Sequence, residues 1–201
     1  FRVFLFSALI LAPSLGYAGN QTVYYTQIVK TDYGVRDAIV RVWVKDEKMR
    51  MESDAGGEKF ILINREGGVY NYIPSQNMLT KIPRIEQKMN YVDDAEDFIS
   101  YLKTVNAKVV GEEEINGLNC DIYEYFDTDS DSQVIAWVWK EKSFPIKIEI
   151  KNYFGKTSVF FDDVRINEPI PESFFELPQD AILIDMTQKL PNMGDILQEY
   201  Q

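Results

Sequence analysis

Apolar positions recur at every second residue over most of this chain. From Arg36 to Lys45, Ala38, Val40, Val42 and Val44 fall on one side, with Asp37, Arg41 and Lys45 on the other. That alternation predicts a β-strand with one buried face. Lys48 to Glu52 repeats it, Met49 and Met51 facing in and Lys48, Arg50 and Glu52 facing out. Thr22 to Lys30 is rich in β-branched and aromatic residues and reads as an earlier strand. Glu58 to Asn64, Val69 to Ile73 and Met78 to Ile82 continue the series. The breaks fall at Ala55-Gly56-Gly57, Gly67-Gly68 and Pro74-Ser75-Gln76-Asn77, all turn-forming sequences.

The period then changes once. Tyr91, Ala95, Phe98, Ile99 and Leu102 recur at spacings of three and four, and Asp93 followed by Glu96 suits a capping box. The spacing predicts a helix over 91–104. Strands resume at Ala107 to Glu113, turn at Asn116-Gly117, return over Leu118 to Phe126, and continue over 133–140, 145–152 and 156–164. From Ile166 the chain is Pro-spaced and irregular, with a helical turn expected at Glu172 to Phe175 and a weak, interrupted helix after Asp185. About ten strands with one interior helix predict a mainly β (α+β) fold. Its single antiparallel sheet is expected to curve, because a sheet of that width curls, with the helix laid in its mouth. Such a shape leaves an apolar concavity wherever the cover is incomplete.

Composition narrows the chemistry. With 45% hydrophobic residues the chain can fill a core. Phe1 to Leu11 is apolar except for Arg2 and Ser7, Pro13 and Ser14 break the run, and Gly16 and Ala18 stand where a signal peptidase reads. Residues 1–18 are therefore expected to be a cleaved signal peptide, and 19–201 one periplasmic domain with an irregular tail over 181–201. The net charge of -11 repels phosphate backbones, so no nucleic-acid partner is expected. With no histidine, and Cys120 as the only cysteine, imidazole catalysis, zinc sites and an internal disulfide are excluded. The paired acids (Asp93-Asp94, Glu112 to Glu114, Asp162-Asp163) sit at predicted turns and element ends, where they cap and solubilise. Asp127 to Asp131 loosely resembles a calcium loop but lacks its central glycine and closing glutamate. Cys120 shares a strand face with Leu118 and Ile122 and reads as a buried structural thiol. The expectation is a protein without catalytic residues, metal or cofactor.

Aromatic rows stand out. Tyr70 and Tyr72 share one strand face, as do Trp137 and Trp139. Such rows either line a pocket or pack a core. Strand 133–140 is apolar on both faces, with Val134, Ala136 and Val138 opposite the tryptophans, and one helix cannot cover everything.

In this order the elements resemble the LolA-like superfamily, the outer-membrane lipoprotein carriers and their relatives. Trp43-Val44-Lys45 resembles the second-strand signature of that family. Ile61 to Asn64, then Gly67 or Gly68, then Tyr70-Asn71-Tyr72-Ile73-Pro74 resembles its aromatic hairpin. Gly111, Asn116 to Cys120, Trp137 and Pro145-Ile146-Lys147 resemble a branch of LolA-like proteins, and Pro171 to Pro178 around Phe174-Phe175 is similar to the closing segment. The chain departs from the pattern at Asp46-Glu47, where LolA carries the Arg-Pro that latches its lid.

The resemblance implies a single curved antiparallel sheet forming an incomplete, strongly bent β-barrel closed by one or two helices, whose apolar interior receives acyl chains of lipids or lipoproteins. The residues expected to line it are Val40, Val42, Val44, Met49, Met51, Ile61, Ile63, Tyr70, Tyr72, Trp137, Trp139, Ile146, Ile148 and Ile150. Tyr91, Phe98, Ile99 and Leu102 would face the mouth from a helical lid. The protein would act as a monomer, with an inner- or outer-membrane envelope protein as a further candidate partner. The alternative is an envelope sensor or assembly module that uses the same fold to bind a protein.

Overall fold

The computed structural model describes residues 22–32, 37–83 and 98–187. The expected signal peptide, the start of the predicted helix with Tyr91, and the tail after Thr187 lie outside the described residues.

Twelve strands form one sheet: β1 (Thr22–Thr31), β2 (Ala38–Lys45), β3 (Lys48–Ala55), β4 (Glu58–Arg65), β5 (Gly68–Ile73), β6 (Met78–Ile82), β7 (Lys108–Ile115), β8 (Leu118–Asp127), β9 (Ser132–Trp139), β10 (Phe144–Asn152), β11 (Gly155–Ile166) and β12 (Ile182–Asp185). The order across the sheet is β12-β6-β5-β4-β3-β2-β1-β11-β10-β9-β8-β7. Two meanders thus meet at β1, which lies between β2 and β11. The sheet is not closed, since β12 and β7 stand at opposite ends of the order. Irregularities at Tyr24–Thr26, Val109–Gly111 and Pro145–Lys147 interrupt the ladders, and bulges of this kind bend a strand and increase its twist.

Local chemistry accounts for the turns. Asn116 and Gly117 have φ of 52° and 80°, the left-handed pair that a two-residue hairpin turn needs and that these residue types tolerate. The one α-helix among the described residues, α1 (Phe98–Thr104), ends in a Schellman arrangement. Asn106 takes φ 54°, its N–H donates to the Lys103 carbonyl at 3.1 Å, and the Ala107 N–H donates to that of Leu102 at 2.9 Å. The turn expected at Glu172 to Phe175 is present as a short 3-10 segment.

Two expectations are corrected. Among the described residues the strands number twelve, where about ten are expected. The tail is not wholly irregular, because β12 pairs with β6 in parallel and so departs from an all-antiparallel sheet. The open edge of β6 supplies the reason: its backbone groups need partners. Asn77 starts the pairing, accepting from the Ile182 N–H at 2.8 Å and donating its side-chain amide to the Asp180 carbonyl at 2.9 Å.

Candidate functional site: an uncharged inner face

Strand pairing decides which side chains meet. Val23, Val40 and Val42 oppose Val44, Gln27 and Tyr25 across β1 and β2, while Val42 and Val44 oppose Met51 and Met49 across β2 and β3. On the other side of β1, Val29 opposes Val159, Val159 opposes Ile148, and Ile148 opposes Ala136. Ile150 opposes Val134, and Ile146 is buried in the same cluster. Tyr25, Phe144 and Phe161 form an aromatic triad within it, with ring centroids 5.4–5.7 Å apart.

Against this inner face lies α1. Its Phe98, Tyr101 and Leu102 are buried in the cluster, and Ile99 is half-buried. Tyr101 and Tyr125 share a hydroxyl hydrogen bond of 3.2 Å with their rings edge to face. Burial, and then the neighbouring Tyr125, push the Tyr101 phenol well above its ordinary value, so it stays neutral. Of the expected cavity residues, Val40, Val42, Val44, Met49, Met51, Ile146, Ile148 and Ile150 come together here.

Ile61, Ile63, Tyr70 and Tyr72 do not join them. They lie on the opposite face, because Ile63 opposes Arg50 and Tyr70, and Ile61 opposes Glu52 and Tyr72. Strand β4 is apolar on both sides, with Phe60 and Leu62 facing in, so alternation alone could not choose. The outer face of β2–β4 is covered by the chain itself, in the segment 168–178. Phe175 and Ile170 are buried, and the Phe174 ring sits 5.5 Å from that of Trp43. Arg50 and Arg65 donate to the carbonyls of Phe174 and Phe175 at 2.9 and 3.2 Å. Glu172 is clasped by Lys45 at 2.6 Å and Lys48 at 2.7 Å, and these two hydrogen-bonded ammonium groups lower its carboxyl to about 2. Alongside this strap, Tyr24, Trp43, Arg165, Ile170 and Phe174 border a cleft of about 330 Å³.

Trp137 and Trp139 take the opposite parity of β9, although Trp137 is buried within the core cluster and Trp139 packs against it. Trp137 opposes Lys147, whose ammonium lies 4.0 Å over the indole, while Trp137 Nε1 donates to Glu113 at 2.6 Å. Trp139 follows it in alternation and opposes Cys120. The residues that belong on the inner face of β9 are Val134, Ala136 and Val138. Cys120 is buried as expected, and burial, then Glu113, raise its thiol above the usual range.

Among the described residues, Gln27 and Ser132 are the only polar side chains that are fully buried. Ser132 donates to the Ser130 carbonyl at 3.0 Å. Gln27 has neither its amide nitrogen nor its oxygen hydrogen-bonded, although it sits mid-strand on β1 between Val40 and Phe161. A buried polar group left unmatched costs about 1–3 kcal/mol. Sequence reasoning misses Tyr25, Gln27 and Val29 although β1 alternates plainly. Lys30, on the opposite parity, is the signal that Val23, Tyr25, Gln27 and Val29 point inward.

No protein-family model matches the chain, and no curated protein matches it by sequence. Solved structures do match in shape. An uncharacterised conserved protein of Thermus thermophilus aligns with a TM-score of 0.59 at 14% identity, over 84% of this chain and 92% of that one. The lipoprotein LppX of Mycobacterium tuberculosis aligns at 0.50 and 13% identity, over 78% and 91%. The fold is LolA-like. A third structure, the MucA/MucB complex of Pseudomonas aeruginosa, aligns with a TM-score of 0.54 at 14% identity; the alignment covers 88% of this chain but only 64% of that one.

Proposed function

We propose that the protein binds an acyl-bearing ligand, a lipid or a lipoprotein, on the inner face of its sheet, in the periplasm and without catalysing a reaction. The observation that carries this is the convergence of Val40, Val42, Val44, Met49, Met51, Ile146, Ile148 and Ile150 on one apolar stretch of the sheet, whose helical cover, among the described residues, is α1. Such a face binds by removing methylenes from water. Each is worth about 0.8 kcal/mol, so a chain of a dozen gains on the order of 10 kcal/mol before ordering costs. Methionine at two of these positions adds side chains that reshape around irregular apolar guests. LppX, a lipoprotein of the same shape, supports an envelope role.

The test is a native mass spectrum of the protein exported with its own N-terminal segment and purified from the periplasm. Bound masses that vanish on organic extraction support the proposal. A mass that stays apo after incubation with envelope lipids refutes it and turns attention to a protein ligand, the arrangement seen in MucB with MucA.

A further inference from the structure

One polar side chain stands in the middle of the inner face with nothing to bond. Gln27 is wholly buried, and neither its Nε2 nor its Oε1 has a hydrogen-bond partner. Its cross-strand neighbours are Val40 and Phe161, and Tyr25 and Val29 flank it on the same side of β1. None of these four carries a charge. Ser132, the other fully buried polar side chain among the described residues, is matched by the Ser130 carbonyl. Two more buried oxygens without a partner, Thr31 Oγ1 and Asn64 Oδ1, lie on the same side of the sheet as Gln27. Thr31 opposes Thr157, which opposes Ile150, and Asn64 opposes Met49.

The chemistry of these unmet groups narrows the guest. A leucine or valine at position 27 would continue the apolar row, so the amide only weakens the fold unless a guest meets it. Oε1 of Gln27 and Oδ1 of Asn64 are acceptors, and a guest that satisfies them must donate. Hydrocarbon, ethers and esters have no proton to give. An ammonium has, but it would lie among Tyr25, Val29, Val40 and Phe161 with no counter-charge, which costs far more than burying a neutral donor. A hydroxyl is the smallest uncharged group that can both donate to Oε1 and accept from Nε2. Position adds a second constraint. At the ordinary strand rise Gln27 stands roughly 13–17 Å from either end of β1. A group that meets it therefore sits within the hydrocarbon chain rather than at the rim of the sheet.

We infer that the inner face selects acyl chains that carry a hydroxyl, and that Gln27 is the side chain that reads it. The inference rests on the reading that the inner face takes an acyl chain. In that reading α1, whose Phe98, Tyr101 and Leu102 pack in the same cluster, moves aside to admit the guest. What it adds is selectivity. Burial of methylenes favours any chain of a given length, whereas a buried amide penalises every chain that leaves it unmatched.

The experiment is displacement of the fluorescent probe 1-N-phenylnaphthylamine from the delipidated mature protein by three neutral esters: methyl decanoate, methyl 3-hydroxydecanoate and methyl 10-hydroxydecanoate. Each is measured on the wild type, on Gln27→Leu and on the near-isosteric Gln27→Met, so that one poorly folding variant does not end the test. The ratio of hydroxy-ester to plain-ester affinity cancels differences in general packing. For at least one hydroxyl position that ratio should be about ten-fold or more higher in the wild type than in either variant. The plain ester should bind the variants as tightly as the wild type or more tightly, because they no longer bury an unmatched amide. Equal ratios in wild type and variants, for both hydroxyl positions, would overturn the inference and leave the acyl-binding reading standing. Wild-type protein that binds neither the fluorescent probe nor any ester would overturn both.

Discussion

Replacing Phe98 by alanine distinguishes a lid from a piece of core. The described part of helix α1, Phe98–Thr104, packs on the inner face through one side. Phe98, Tyr101 and Leu102 are its buried side chains, worth about 1.5–3 kcal/mol each and about 5–9 kcal/mol together. Ordering seven residues opposes this at about 1 kcal/mol each, leaving α1 docked by about 2 kcal/mol or less. Truncating a buried phenylalanine costs about 3–5 kcal/mol. That exceeds the docking free energy, so in Phe98→Ala the helix should detach while the sheet remains folded. Loss of global stability then stops at the docking value, because the detached state never held the lost contact. Denaturant unfolding should show a decrease of about 2 kcal/mol or less. Hydrogen exchange at Val105, Asn106 and Ala107, whose amides donate to Tyr101, Lys103 and Leu102, should meanwhile lose its protection. Ligand release should accelerate by about ten-fold or more. A global loss of the full 3–5 kcal/mol, with those amides exchanging only through complete unfolding, would show that α1 is core and that the lid argument fails.

The strap on the outer face should contribute unequally along its length. Phe175→Ala is expected to cost about 3–5 kcal/mol and Phe174→Ala about 1 kcal/mol or less, by urea unfolding, since Phe175 is 2% exposed and Phe174 36%. Glu172 makes strap docking acid-sensitive. Its carboxyl is lowered in the folded state from 4.5 to about 2, so the stabilisation is complete above pH 4.5 and is lost as pH falls towards 2. Indole emission, which includes Trp43 against Phe174, should follow that window, and Glu172→Gln should remove this component. Gln27→Leu should raise stability by about 1–3 kcal/mol, because it deletes an unmatched buried amide; a loss of stability in thermal melts would mean that the amide has a partner. Cys120 should resist thiol reagents until the protein is denatured, and rapid labelling of the native state would contradict its burial.

Period-two alternation, turn residues and the closing segment locate nearly every described strand, because each of these signals is local. Asn116-Gly117 needs no distant partner to turn back on itself, and Ala38 to Val44 presents one apolar side wherever it lies. The same locality makes Val40, Val42, Val44, Met49 and Met51 legible as a shared face: β2 and β3 are polar on their other side. Where a strand is apolar on both sides, nothing local decides. Ile61, Ile63 and Tyr70 read as cavity residues and lie instead on the outer face, where β3 and β4 are covered by the segment around Phe175, a residue about a hundred positions away that had to fold back before that face had cover. Trp137 faces Lys147 rather than Ile146 because the bulge at Pro145 sets the register of β10 against β9. The parallel strand β12 exists only because β6 has an open edge to receive it. Sequence alone thus determined a curved sheet with an apolar side. Tertiary pairing decided which side of each two-faced strand is the inside, since a shift of one residue exchanges the faces with no change in local preference.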